Sequence, residues 1–123
     1  MSDATTKYSQ PTRIMIDAKV PMRDGVKLSA DIYLPPSKGA FPTVLCRTFG
    51  GNQSPAFFES GASNSSMVSR FVDQGYAVVL QDLRGRFDSE GTYEPYIHES
   101  QDGYDTQEWI GSQPWCDGNI GTF

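Results

Sequence analysis

The sequence predicts an α/β protein: an antiparallel hairpin followed by parallel strands joined through helices. Three observations carry that prediction. Residues 13–34 alternate apolar and polar side chains on either side of Asp24-Gly25, the pattern of a two-stranded hairpin. Residues 76–80 form an unbroken apolar run rich in β-branched side chains, bounded by Gly75 and by Gln81-Asp82, which suits a strand buried on both faces of a parallel sheet. Just upstream, Met67, Val68, Phe71 and Val72 share one face of a helix that Gly75 can end as a left-handed residue.

The elements follow in order. Ile14, Ile16, Ala18 and Val20 predict the core face of a half-buried first strand, with Arg13, Met15, Asp17 and Lys19 mostly opposite. Val26, Leu28, Ala30, Ile32 and Leu34 predict the core face of the returning strand, which Pro35-Pro36 stops because proline cannot donate to a ladder. Residues 43–47 read as a short buried strand, and residues 48–65 as a long polar, glycine-rich loop. The helix is expected over residues 66–74 and the buried strand over 76–82, with a second long loop over 83–100. A second helix is expected over about 102–113, with Asp102 as N-cap, Thr106, Trp109, Ile110 and Gln113 inward, and Pro114 ending it. Residues 119–123 begin a further strand. With no helix after it, the sheet is expected to be incomplete at its C-terminus.

Composition narrows the function. The 123 residues suffice for one small domain, and 37% apolar with 20% charged residues is ordinary for a globular one. A formal charge of −5 with no Lys/Arg cluster argues against a nucleic-acid partner. No apolar run is long enough to span a bilayer and no signal-peptide core follows Met1, so no membrane partner and a cytoplasmic location are expected. Residues 1–12 read as a flexible polar tail and 13–123 as the domain. Cys46 and Cys116 fit neither a disulfide framework nor a zinc pattern, and no cofactor or metal motif appears.

Five stretches in sequence carry a resemblance: residues 20–28 (Val-Pro-Met-Arg-Asp-Gly-Val-Lys-Leu), Gly75-Tyr76-Ala77-Val78-Val79, Gln81-Asp82-Leu83-Arg84-Gly85 with Ser89-Glu90-Gly91, Asp102-Gly103-Tyr104-Asp105-Thr106 with Glu108-Trp109-Ile110, and residues 113–121. From about Arg13 to the end, the chain closely resembles the N-terminal part of the CocE/NonD hydrolases, the group with the S15 Xaa-Pro dipeptidyl-peptidases. The resemblance implies an α/β-hydrolase fold and a serine hydrolase acting on small-molecule esters, amides or peptides through an acyl-enzyme. In that family the strand matching residues 119–123 leads into a Gly-x-Ser-Tyr-x-Gly nucleophile elbow, with acid and histidine later in the chain. Nucleophile, acid and histidine are therefore expected beyond Phe123, and the 123-residue chain alone is expected to be inactive. The alternative is a naturally truncated, non-enzymatic protein that acts only through a binding partner. Neither substrate identity nor oligomeric state can be read from the sequence.

The resemblance also implies that the loop after the third strand supplies an oxyanion donor, where the family has Arg-Thr-Pro-Tyr and uses the tyrosine hydroxyl. Here the loop reads Arg47-Thr48-Phe49-Gly50-Gly51, so no hydroxyl stands in the tyrosine's place. The candidates are Phe49, Gly50 and Gly51, with a backbone N–H of Gly50 or Gly51 as the substitute donor; losing such a donor outright costs on the order of 3 kcal/mol of transition-state stabilisation. Asp82, Arg84, Asp88 and Glu90 crowd the carboxyl end of a strand, where ligands bind in α/β sheets. Paired carboxylates for acid–base work are one reading. A structural turn built on Asp82 and Arg84 is the favoured one. His98 reads as a loop histidine, and Ser89, Ser100 and Ser112 have no neighbouring base in sequence.

Overall fold

A computed structural model describes residues 13–48, 64–86, 88–92, 94 and 97–122. The strands are β1 (Arg13–Pro21), β2 (Lys27–Leu34), β3 (Phe41–Thr48), β4 (Ala77–Asp82) and β5 (Cys116–Thr122), and the helices are α1 (Asn64–Asp73) and α2 (Glu99–Gly111). They build one five-stranded sheet in the order β1-β2-β4-β3-β5. β2 runs antiparallel to β1 and to β4, whereas β3 runs parallel to both β4 and β5.

β4 lies at the centre and every one of its residues is buried. Its side chains alternate between two cores. Ala77 and Val79 join Leu28, Ala30, Ile32, Leu45 and Ile110 of α2 on one face. Val78 and Leu80 join Tyr33, Cys46, Val68 and Val72 of α1 on the other. An unbroken apolar run is what such a two-sided strand requires.

Gly75 ends α1 as its spacing predicts. It takes φ +93°, its N–H donates to the Val72 carbonyl at 3.0 Å, and the Tyr76 N–H reaches back to the Phe71 carbonyl at 2.9 Å. These two bonds make a Schellman motif, and the accompanying apolar contact is an edge-on Phe71–Tyr76 pair with centroids 5.8 Å apart. Gly25 closes the hairpin at φ +88°, with Asp24 Oδ1 accepting from the Val26 N–H.

Four expectations are corrected. The apolar face of the first strand does not run its whole length: Val20 is buried, but Ile14 and Ile16 are exposed. The register shifts between Met15 and Ala18, and Asp17 there takes φ +57°. Local hydrogen bonds favour that bulge: the Asp17 N–H donates to Asp31 Oδ1, and Ser29 Oγ donates to Asp17 Oδ1 at 2.5 Å. β2 is buried on both faces from Leu28 onward, because β4 pairs with it and both cores press on it. The third strand is longer than residues 43–47, and Pro42 falls at a register shift, between the Phe41–Cys116 and Thr43–Ile120 pairs, where a residue without an N–H is tolerated. α2 begins three residues before Asp102, with His98 as N-cap, so Asp102 lies inside the helix and is buried.

Candidate active-site floor

The parallel strands deliver polar side chains to their carboxyl edge. Arg47 is the last residue but one of β3, Gln81 and Asp82 end β4, and Leu83 and Arg84 open the turn that follows. α2 crosses this edge with Glu99, Asp102 and Thr106 in its first two turns. The acidic first turn suits the positive end of the helix dipole.

Arg84 is the hub. Its Nε and Nη2 donate to Asp102 Oδ2 and Oδ1 at 2.8 and 2.7 Å, a bidentate pair in which the side chains are 10% and 2% exposed. Its Nη1 donates to Asp24 Oδ2 in the hairpin turn at 2.9 Å. Asp102 foremost, and then Asp24, hold the guanidinium pKa above its ordinary value, and Arg84 in turn holds the Asp24 carboxyl below the usual carboxylate range. One side chain thus joins hairpin, central strand and α2. Gly91 makes room for it: a Cβ there would meet Arg84 Cγ at 2.8 Å and Val26 Cγ1 at 3.3 Å.

The rest of the turn is tied to β2 by reciprocal bonds. The Lys27 N–H donates to Glu90 Oε1, the Glu90 N–H to the Lys27 carbonyl, and the Gly85 N–H to the Glu90 carbonyl. Ser89 is buried, where its hydroxyl accepts from the Ser29 N–H and donates to the Asp82 carbonyl, both at 2.8 Å. Asp82 is itself fully buried at the end of β4, and the exposed Asp88 offers its carbonyl to Lys19 Nζ. The charged cluster seen in the sequence is therefore dispersed: Arg84 reaches out of it to Asp24 and Asp102. His98 Nε2 pairs with Glu94 Oε1 at 2.7 Å beside this edge, and Ser112 Oγ donates to the Trp109 carbonyl at the far end of α2.

A second network lies beside the first. Gln81 Oε1 accepts from Arg47 Nε at 2.7 Å and from Thr106 Oγ1 at 3.1 Å, while Arg47 Nη1 donates to the Glu99 carbonyl at 3.3 Å. A small cavity opens between the two networks, lined by Arg47, Leu83, Arg84, His98, Glu99 and Asp102 among others. Phe49, Gly50 and Gly51, the oxyanion candidates, lie outside the described residues. Sequence reasoning did not single out Arg47, Asp24 or Asp102 as members of this edge. The one signal available was the spacing of Asp102, Thr106 and Ile110 at successive fourth positions, which puts an aspartate on the inward stripe of a helix.

A hairpin feeding a β1-β2-β4-β3-β5 sheet, helices on both faces and polar groups gathered at the carboxyl edge define the N-terminal portion of an α/β hydrolase. Residues 24–123 match the X-Pro dipeptidyl-peptidase (S15) family, and the chain belongs to that family. It is 43% identical over 117 residues to a cocaine esterase of Rhodococcus, covering 94% of this chain and 19% of that protein. A crystal structure of a CocE/NonD family hydrolase of Staphylococcus aureus superposes with a TM-score of 0.81 at 32% identity, over 92% of this chain and 23% of the other. An α-amino acid ester hydrolase matches with a TM-score of 0.65 at 27% identity, over 99% and 22%. The chain thus spans about a fifth of the length of these relatives. Among the described residues no helix is long and apolar enough to cross a membrane.

Proposed function

We propose that residues 1–123 form the scaffold side of the catalytic site of a serine hydrolase that cleaves ester, amide or Xaa-Pro peptide bonds through an acyl-enzyme. The observation that carries this reading is the adjacency of β3 and β5. They run parallel, with Val44 beside Gly121 and Leu45 beside Thr122. The carboxyl ends of β3 and β5, from which the chain departs toward residues 49 and 123, therefore lie side by side at one edge of the sheet. In an α/β hydrolase those two departures supply the two halves of one site: oxyanion N–H donors from the loop after the third strand, and the nucleophile on the turn after the fifth. The serine hydroxyl would attack the scissile carbonyl and pass its proton to histidine. The leaving group would take that proton, and water would then release the acyl group.

In this chain Phe49, Gly50 and Gly51 are the oxyanion loop, and Asp82 and Arg84 are scaffold. Residues 1–123 contain no Gly-x-Ser-x-Gly sequence. Purified 123-residue chain is accordingly expected to resist a fluorophosphonate probe, while the longer protein turns over p-nitrophenyl esters. Stoichiometric labelling of a serine in the short chain would overturn the assignment.

A further inference from the structure

We propose that Arg47 is a positioning residue of the hydrolytic site, fixing the carboxyl end of β3 against the central strand and the first turn of α2. The inference rests on the serine-hydrolase reading above. Arg47 stands two positions before Phe49, and its ladder partner in β4 is Gln81. Its guanidinium bonds Gln81 Oε1 at 2.7 Å and the Glu99 carbonyl at 3.3 Å, tying the end of β3 to the central strand and to the first turn of α2. Gln81 Oε1 also accepts from Thr106 of α2, so the amide that receives Arg47 is fixed from the other side.

This is a poor choice for a scaffold alone. The hydrogen-bonded partners of Arg47 are neutral, an amide oxygen and a main-chain carbonyl, whereas Arg84 beside it bonds two carboxylates. Burial draws the Arg47 guanidinium pKa below its ordinary value in spite of the charges on Asp102 and Glu99, and nearby Arg84 adds to the lowering. Arg47 Nη2 and Gln81 Nε2 are both buried with no acceptor among the described residues. Departures from local consistency of this kind are expected where a fold positions functional groups. Catalytic groups must be held to within about half an ångström of their place, and a rigid guanidinium fork at the carboxyl end of β3 fixes that edge of the sheet.

The test uses the longer protein that continues past Phe123. For Arg47→Met, whose stem keeps the packing, kcat on a p-nitrophenyl ester is expected to fall at least about tenfold with KM within about twofold of wild type, since an interaction felt mainly in the transition state is lost. For Arg47→Ala, added guanidinium is expected to restore part of kcat, and sodium chloride at equal ionic strength is not. Gly103→Val gives a second route should Arg47→Ala fail to fold. A Cβ at Gly103 would already be in contact with Arg47 Nη1 at 3.6 Å, so the two further methyls of valine are expected to crowd the guanidinium without removing it, and the same kcat-selective loss is expected. Unchanged kcat in Arg47→Met or in Gly103→Val overturns the inference, as does a loss that follows only the folded fraction and is not rescued. A wild-type longer protein without esterase turnover refutes the serine-hydrolase reading itself. An active wild type with indifferent Arg47 variants refutes only the positioning role.

Discussion

Replacing Asp102 by Asn removes a charge from the most enclosed ion pair among the described residues with little change of shape. Asp102 is 1% exposed and accepts two bonds from Arg84, at 2.7 and 2.8 Å. Breaking one partner of a buried pair destabilises by roughly 3–5 kcal/mol, because the remaining charge loses its compensation. Asp24 still holds Arg84 from the hairpin, but its side chain is 48% exposed and the attraction is screened. The expected loss therefore lies at the lower end, about 3 kcal/mol. For a domain of this size that corresponds to a fall in Tm of about 10 °C. Urea unfolding followed by tryptophan fluorescence measures it well, since Trp109 sits on α2 and Trp115 just beyond, in edge-on contact at 6.3 Å. Pairing Asp102→Leu with Arg84→Met removes both charges, and the double variant is expected to be more stable than either single one. A loss under about 1 kcal/mol for Asp102→Asn, or additive losses in the double variant, would refute the claim that this pair fixes α2 to the sheet.

Three further outcomes are expected. Gly91→Ala combines φ +91° with a Cβ 2.8 Å from Arg84 Cγ and should cost about 2 kcal/mol or more, whereas Gly25→Ala at φ +88° meets open space and should cost only about 1 kcal/mol; equal losses in urea would contradict the close-approach argument. Asp17, Asp24 and Asp105 have carboxyl pKa values held below 3.8, chiefly by the Ser29 hydroxyl, by Arg84 and by Arg23 respectively. Their contribution to stability is complete above the unfolded value of about 4 and is lost as pH falls through the lower folded values, so Tm should hold between pH 5 and 7 and drop below about pH 4; a flat profile to pH 2.5 would contradict the sign. Burial pushes the Cys46 thiol pKa up and leaves the residue 6% exposed, so a disulfide reagent should modify it slowly in the native protein and rapidly in urea.

Most of the scaffold was legible because it is written in local patterns. The unbroken run before Asp82 marks a central strand, Gly75 marks a Schellman ending, and Asp24-Gly25 marks the hairpin. What was not legible depends on partners far away in sequence. Asp102 looks like a helix cap until Arg84, eighteen positions earlier, is found against it, and Asp24 is sixty positions from the same guanidinium. The first strand's alternation ends at Asp17 because Ser29 and Asp31 on the neighbouring strand hold its backbone in a bulge, which a period-two count cannot anticipate. The strand order, and with it the adjacency of β3 and β5, is carried by ladders between residues far apart in sequence. Arg47 was visible only as one letter of a motif. Its link to Gln81 and Glu99 emerges when β3, β4 and α2 are brought together.

The central claim is that this chain supplies the floor of a serine hydrolase site whose chemistry begins just after β5. Mapping the residue acylated by a fluorophosphonate in the longer protein tests it most directly. The expected result is a single modified serine in a Gly-x-Ser-x-Gly turn that follows Phe123 within a few residues, abolished by replacing that serine with alanine. Modification of Ser89, Ser100 or Ser112, or of a serine on a segment that does not follow β5, would contradict it.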